Sequence, residues 1–122
     1  MTTPAEFANQ YLAVWNETDK AKRQQLIEQT FTPSARYQDP LMEGHGHDGI
    51  GAMIEAAQAQ FPGHRFTLSG TPDGYNKVVR FSWALGVPGG EPIAYGTDVA
   101  ILSESRFDSV AGFLDTAQAQ PA

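Results

Sequence analysis

The chain has 122 residues, no cysteine, and 14 acidic against 8 basic side chains, which gives a formal net charge of −6 at pH 7. A chain of this length buries about two-thirds of its unfolded surface on folding, so one domain without disulfides is expected. The lack of cysteine excludes thiolate nucleophiles and sulfur-ligated metal centres, and the few scattered basic residues argue against nucleic acid or an anionic membrane as partner.

The sequence shows neither a secretory signal nor a membrane span. Residues 1–16 lack the basic start and the apolar stretch of a signal peptide, and no run of about 18 apolar residues occurs anywhere in the chain. We therefore predict a soluble, cytoplasmic protein that does not contact membranes.

Apolar residues at helical spacing predict two helices at the start of the chain. The first covers residues 4–16, where aromatic and aliphatic side chains recur every three or four positions. The second begins after the N-cap candidates Thr18-Asp19 and ends at Pro33, with Arg23 on its polar face. Both helices should pack one apolar face against the rest of the domain.

A short strand and a third helix are predicted next. Residues 35–39 are too few for a helix and stop before Pro40, so they indicate a strand. The third helix has Asp48 as its candidate cap, and Pro62-Gly63 would end it. The first half of the chain is thus mainly helical.

The second half has the residue types and turn signals of a β-meander. Four β-rich segments cover residues 64–70, 78–86, 93–102 and 106–114, and turn residues such as Pro72-Asp73-Gly74 separate them. Helices followed by strands predict an α+β domain over residues 1–115, with three helices on one face of a curved, mostly antiparallel sheet. The Ala/Gln-rich residues 116–122 are predicted to form a flexible tail.

The third of these strands is largely apolar on both faces. Tyr95, Val99 and Ile101 alternate onto one face, while the other carries Asp98 among small and apolar residues. Helices can cover only one face of the sheet, so the second face needs another partner. We therefore predict a homodimer formed through the sheet.

Three polar residues stand where acid–base chemistry is possible. Asp98 lies within an apolar strand face, where burial should raise its pKa and make it a neutral donor at neutral pH. The alternatives are a surface-facing carboxylate near a bulge, or one bonded to Thr97 or to a neighbouring loop. Asp39 could lie over the mouth of a cavity or could simply begin an Asp-Pro turn. Tyr11 is on the apolar stripe of its helix, a position where tyrosine is usually part of the core.

Metal or cofactor chemistry has little support in the sequence. His45 and His47 lie in a glycine-rich loop and could give two ligands at most, and His64 is the remaining histidine. No serine has the context of a nucleophile elbow, and no lysine stands where a phosphate-binding loop needs one. We predict no cofactor and no metal.

Four segments, taken in order, resemble the SnoaL-like domain of the nuclear transport factor 2-like superfamily. They are Tyr11–Asn16, Phe31–Pro40, Gly46–Ile50 and Gly96–Val99. The resemblance extends from about residue 5 to Asp115. It implies a cone-shaped α+β barrel in which three helices cover a strongly bent sheet and enclose a pocket.

The resemblance extends to the ketosteroid isomerases and polyketide cyclases of that superfamily. It implies that Asp39 moves a proton next to a carbonyl group, while Tyr11 and a protonated Asp98 donate hydrogen bonds to the enolate oxygen. The stretch between Asn16 and Asp39 is longer by about one helical turn than in the isomerases. Such a pocket would hold a hydrophobic carbonyl or polyphenolic compound against aromatic side chains, for which the candidates are Trp15, Phe66, Phe81, Trp83 and Phe113.

Two other functions remain open from the sequence. The pocket could carry a lipophilic ligand without catalysis, in which case Asp98 would be paired structurally and Asp39 would only end a strand. Alternatively, the chain could be a dimerising domain with a filled core. Convergence of Tyr11, Asp39 and Asp98 on one cavity would favour the catalytic hypothesis over both.

Overall fold

The fold is known from a computed structural model that describes residues 2–115; the predicted tail, residues 116–122, lies outside them. The helices and strands in chain order are α1 (Pro4–Asn16), α2 (Lys20–Thr30), β1 (Phe31–Gln38), β2 (Glu43–His45), α3 (Gly46–Gln60), β3 (Arg65–Tyr75), β4 (Val78–Gly86), β5 (Ala94–Ser103) and β6 (Arg106–Leu114). The strands form one curved sheet in the order β2-β1-β6-β5-β4-β3. Every neighbouring pair is antiparallel except β1 and β6, which are parallel. The predicted α+β class, three helices on a mostly antiparallel sheet, is confirmed.

Helix α1 lies across the sheet and is fixed at both ends. At its start, Thr3 and Glu6 form a capping box in which each side chain accepts a hydrogen bond from the other's backbone N–H. At its end, the Asn16 side chain makes two 2.8 Å hydrogen bonds to the backbone of Phe66 on β3. Its apolar face is buried on the sheet through Phe7, Ala8, Tyr11, Leu12, Val14 and Trp15.

The polar face predicted for α2 is wrong at Arg23. Its side chain is buried and donates hydrogen bonds to the Glu17 carbonyl at 3.0 Å, to Gln58 Oε1 at 2.9 Å and to Glu55 Oε2 at 3.3 Å. Because a buried guanidinium needs acceptors, these contacts require α2 to lie between the end of α1 and helix α3. Arg23 therefore orders the helical layer.

The boundary between α2 and β1 also differs from the prediction. Helix α2 ends at Thr30, and β1 begins at Phe31 and includes Pro33, which was expected to end the helix. The pairing of β1 with β6 changes register between Phe31 and Arg36. A proline is tolerated beside such an irregularity because the regular ladder is interrupted there.

The third helix begins earlier than predicted. His45 is at its N-cap and Gly46 is its first residue, while Asp48 lies in the first turn, where a negative charge favours the helix dipole. The three-residue strand β2 just before it was not predicted. It pairs with the end of β1, so that the intervening residues form a hairpin over one end of the sheet.

The turn predicted at Pro72-Asp73-Gly74 is absent, because β3 continues through it to Tyr75. The extra residues are absorbed as a register shift between Ser69 and Asp73, and the chain reverses at Asn76, whose φ is +50°. Asparagine tolerates this left-handed conformation better than most residues.

The two faces of β5 differ as the alternation predicted. Asp98 and Leu102 are buried beneath the helices, whereas Ile101 on the other face is 51% exposed. None of the helices within residues 2–115 is long and apolar enough to cross a membrane.

Candidate functional site

A cavity of about 140 Å³ lies between α1, the β1–β2 hairpin and the inner face of the sheet. Its walls are almost wholly apolar, and its polar atoms come mainly from tyrosine, tryptophan and aspartate side chains. Tyr11, Asp39 and Asp98 all line this cavity. An apolar cavity of about 150 Å³ accommodates a benzene ring, so this space suits one ring.

Tyr11 is held in place by other aromatic rings. It is 1% exposed, and its ring centroid lies 5.0 Å from that of Phe81 and 5.1 Å from that of Phe107. Burial raises the pKa of Tyr11 well above its usual value, and the nearby Asp98 adds to this effect, which Trp15 opposes. Tyr11 therefore keeps its proton and is available as a hydrogen-bond donor.

Asp98 is the deepest acidic group of the cavity. It is 2% exposed, and Trp83 Nε1–H donates to its Oδ1 at 3.3 Å. Burial raises the pKa of Asp98 to about 6, and the donor groups of Trp83 and Tyr11 beside it partly oppose this rise. At pH 7 most molecules therefore carry an ionised Asp98, so the expected neutral donor exists mainly below pH 6 unless a ligand raises the pKa further.

Asp39 lies at the cavity mouth and is hydrogen-bonded through both carboxylate oxygens. Oδ1 accepts the backbone N–H groups of Leu41 and Met42 at 2.8 and 2.9 Å, and Oδ2 accepts the Tyr37 hydroxyl at 2.5 Å. The two backbone bonds form the turn that the sequence allowed as an alternative. The side chain thus closes the hairpin and also faces the cavity.

Tyr37 was missed as a site residue. It is buried near the end of β1 and precedes Asp39 by two residues, and its hydroxyl reaches the Asp39 carboxylate. Burial is the main cause that raises the pKa of Tyr37, with further contributions from Asp98 and from the hydrogen bond to Asp39. This period-two spacing before an Asp-Pro turn was the signal in the sequence.

Gly112 on β6 leaves the space in which these groups meet. A Cβ atom added there would lie 2.9 Å from Asp98 Oδ1, 3.1 Å from the Tyr37 hydroxyl and 3.1 Å from Asp39 Cβ. These three contacts place both carboxyl side chains and the tyrosine around one point on the sheet. Any larger residue at this position would displace at least one of them.

A second glycine positions the donor to Asp98. Gly96 pairs with Trp83 across β4 and β5, and a Cβ atom at Gly96 would overlap the indole ring. The indole therefore lies flat over β5. This orientation directs its Nε1–H toward Asp98, two residues along the same face.

The aromatic residues predicted for the pocket divide into three groups. Trp15, Phe66 and Trp83 line the cavity, with ring centroids 5.5 Å apart for Trp15 and Phe66 and 5.2 Å apart for Phe66 and Trp83. Phe81 does not line it; its ring supports Tyr11 from the core side. Phe113 is 48% exposed on the opposite face of the sheet.

The position of Phe113 follows from an irregularity in β6. The β5–β6 register shifts between Ile101 and Leu102, where Ser109 and Phe107 are the partners. An extra residue in a strand reverses the alternation beyond it, so Gly112 faces inward and Phe113 outward. The same shift brings Leu114 into the cavity wall.

Two of the three histidines contact backbone carbonyls. His47 Nε2 contacts the Phe31 carbonyl at 2.9 Å, and His64 Nδ1 contacts the Pro62 carbonyl at 3.0 Å. Within residues 2–115, no three histidine, aspartate or glutamate side chains are grouped so that they could hold a metal ion.

Comparison with known proteins gives one family. The SnoaL-like domain profile matches residues 8–106. A crystal structure of a SnoaL-like protein from Agrobacterium tumefaciens, named as a candidate isomerase, is 52% identical over 94% of this chain and 99% of that one, with a TM-score of 0.90. No protein of curated function matches the sequence significantly.

More distant structures share the fold alone. A candidate ketosteroid isomerase from Kribbella flavida is 17% identical over 99% of this chain and 83% of its own, with a TM-score of 0.71. A candidate polyketide cyclase from Sinorhizobium meliloti is 15% identical over 88% of this chain and 93% of its own, with a TM-score of 0.66.

Proposed function

The chain belongs to the SnoaL-like family, and on that premise we propose that it is a cofactor-free proton-transfer enzyme of the isomerase or cyclase type. Its substrate would be a hydrophobic carbonyl or polyphenolic compound. The observation that carries the proposal is the convergence of Tyr11, Asp39 and Asp98 on one apolar cavity. The name of the Agrobacterium relative, a candidate isomerase, agrees with this class of reaction.

In the proposed reaction Asp39 is the base. Its carboxylate, held by the hairpin N–H groups and by Tyr37, removes a proton from the carbon next to the substrate carbonyl. The electron pair moves onto the carbonyl oxygen, where Tyr11 and protonated Asp98 donate hydrogen bonds to the enolate. Return of the proton to another carbon gives isomerisation, whereas attack of the enolate carbon on a second carbonyl of the same molecule gives cyclisation.

Replacement of the base tests this assignment. A suitable single-ring probe is 3-cyclohexen-1-one, whose isomerisation to the conjugated ketone is followed by ultraviolet absorbance. We expect Asp39→Asn to lower the rate about 100- to 10,000-fold, which is the usual contribution of a general base. Asp73→Asn, at an exposed carboxylate paired with Arg80, is the matched control and should keep the wild-type rate. Equal rates for Asp39→Asn and wild type would remove Asp39 as the base.

A binding protein without catalysis is the second candidate function. It is favoured by the three hydrogen bonds that Asp39 already accepts, because they give the carboxylate a structural role in closing the hairpin. This function predicts that the wild-type protein binds the conjugated product, 2-cyclohexen-1-one, yet leaves the hydrogens next to its carbonyl unexchanged in D₂O. Nuclear magnetic resonance distinguishes the two cases.

We also propose that the outer face of the sheet binds a second copy of the chain. Ile101 and Phe113 are about half exposed there, beside a groove that is lined by Val99 and bordered by Arg36 and Glu43. A two-fold contact presents the same patch from both partners, so these opposite charges can pair across it. Ile101→Glu should convert a dimer to a monomer in sedimentation analysis.

The control for this test is Tyr75→Glu at the exposed β3–β4 hairpin, which should leave the mass unchanged. A wild-type chain that sediments as a monomer would end the dimer proposal. A cytoplasmic location stays a prediction from the sequence, and fractionation of the producing cells would test it.

A further inference from the structure

We infer that Trp15, together with Tyr11, binds the oxygen atom of the ligand, and that the site selects a planar, single-ring compound with an anionic oxygen, such as a phenolate or an enolate. This inference rests on the proposed function, because it concerns the same cavity. It gives Trp15, which was predicted only as an aromatic wall of the pocket, a hydrogen bond to the ligand.

The inference begins with two buried donors that lack acceptors. Tyr11 and Trp15 are 1% and 6% exposed, and neither the Tyr11 hydroxyl nor Trp15 Nε1–H makes a hydrogen bond to any residue in the part of the chain that the structure describes. Buried polar groups in folded proteins almost always have a partner. Both residues line the cavity, so an acceptor inside it would satisfy them together.

The two donors are held close to each other. Trp15 follows Tyr11 by one helical turn, and their ring centroids are 6.2 Å apart. The Trp15 indole packs between Tyr37 and Phe66, with centroid distances of 5.4 and 5.5 Å. Gln58 also donates to the Trp15 carbonyl at 2.9 Å, which fixes the end of α1. The indole N–H is therefore positioned before a ligand arrives.

The cavity determines the class of ligand. Its volume of about 140 Å³ holds about one ring, and aromatic side chains on several sides favour a planar one. Donors without acceptors favour an oxygen that carries negative charge. Asp98 lies beside Tyr11, so it must be protonated when such an oxygen binds, and binding should be accompanied by proton uptake near pH 7.

Two ligands of matched shape separate hydrogen bonding from ring packing. Pentafluorophenol is ionised at neutral pH, and pentafluorotoluene has nearly the same shape without the oxygen. We expect Trp15→Phe to lower the affinity for pentafluorophenolate about 10- to 100-fold, because a hydrogen bond to a charged group is lost. The affinity for pentafluorotoluene should change less than about twofold. Equal losses for both ligands, or no loss for either, would overturn the inference.

The wild-type protein gives a readout that does not depend on any variant. The chain has two tryptophans, Trp15 and Trp83, so its ¹H–¹⁵N spectrum contains two indole signals. Pentafluorophenolate should move the Trp15 signal downfield and pentafluorotoluene should not. A Trp15 signal that responds equally to both ligands contradicts the inference.

The outcomes also separate this inference from the proposed function. If Trp15 binds the phenolate while Asp39→Asn leaves turnover unchanged, the inference holds and the assignment of the base fails. If Asp39→Asn abolishes turnover while Trp15→Phe affects both ligands equally, the reverse is true. If the wild-type protein binds neither pentafluorophenolate nor pentafluorotoluene, both the inference and the proposed function are overturned.

Discussion

The two carboxyl groups of the cavity, Asp39 and Asp98, are surrounded in opposite ways. Asp39 ends a strand, is partly open to solvent, and accepts three hydrogen bonds of 2.5 to 2.9 Å. Asp98 is in the middle of a strand, is 2% exposed, and accepts a hydrogen bond of 3.3 Å from Trp83. The same residue type therefore lies in a polar turn at one end of the cavity and in an apolar layer at the other.

In the proposed function, this contrast separates the acid of the cavity from its base. Donors aimed at a carboxylate favour its ionised form, whereas burial without a cation favours the neutral form. Pairs of titratable groups in contrasting environments are a common basis for acid and base roles in enzymes. Here the contrast is built by the hairpin around Asp39 and by Gly96 and Gly112 around Asp98. Three predictions test its two sides.

The largest expected effect belongs to Asp98, because its ionised form is costly in the folded state. Its pKa is about 6 in the folded protein against 3.8 ordinarily, so the folded state binds more protons between these pH values. The cost is absent below about pH 4, grows as pH rises to 6, and is about 3 kcal/mol above that. The change in unfolding free energy caused by Asp98→Asn should therefore be more favourable by about 3 kcal/mol at pH 7.5 than at pH 4. Urea denaturation of the variant and the wild type at both pH values measures this difference.

The comparison of two pH values separates this cost from other effects of the amide. Asp73→Asn, the same exchange at an exposed position, is the control for the exchange itself. If Asp98→Asn changes the unfolding free energy by the same amount at both pH values, then burial does not raise the pKa of Asp98, and the contrast with Asp39 is lost.

The next effect concerns the donor to Asp98. In Gly96→Ala the new methyl group would overlap the Trp83 indole, so the indole must move and its hydrogen bond to Asp98 is lost. Overpacking of this kind costs about 2 kcal/mol. Loss of the donor should also raise the pKa of Asp98 further, which carboxyl-detected magnetic resonance would show.

Gly51→Ala is the matched control for this substitution. A Cβ atom there would meet its nearest neighbours, on Gln24 and Ile27, at 3.5 Å, an ordinary contact distance. Alanine is about 1 kcal/mol better than glycine inside a helix, so this variant should be more stable than wild type. If Gly96→Ala is as stable as Gly51→Ala, the indole does not need Gly96.

The sequence was informative wherever a regular period was unbroken. Alternation along β5 placed Asp98 and Ile101 on opposite faces, and the helical stripe of α1 placed Tyr11 and Trp15 on one face. These inferences needed only the geometry of one element. They were sufficient to predict which side chains share a face.

Irregular steps were not predictable in the same way. Phe113 was assigned to the wrong face because a single extra residue in β6 reverses the alternation, and such a residue leaves no mark in composition. Arg23 was expected on the surface, but it is buried against acceptors from α3 and from the segment after α1. These acceptors lie outside α2, so the pattern of α2 alone does not reveal them. The spacing of Tyr37 and Asp39 was visible in the sequence, but their hydrogen bond also depends on the hairpin N–H groups that hold the Asp39 carboxylate.

The smallest expected effect tests the donors around Asp39. Tyr37→Phe removes the hydroxyl that donates to Asp39 Oδ2 and keeps the ring, so the unfolding free energy should fall by about 1 kcal/mol. Tyr75→Phe, at a tyrosine that is 71% exposed, should change it little. A double-mutant cycle with Asp39→Asn isolates the pair, because the loss from Tyr37→Phe should shrink when the carboxylate is already absent. If the loss is the same in both backgrounds, the hydroxyl stabilises something other than Asp39, and the polar end of the cavity is held by the hairpin N–H groups alone.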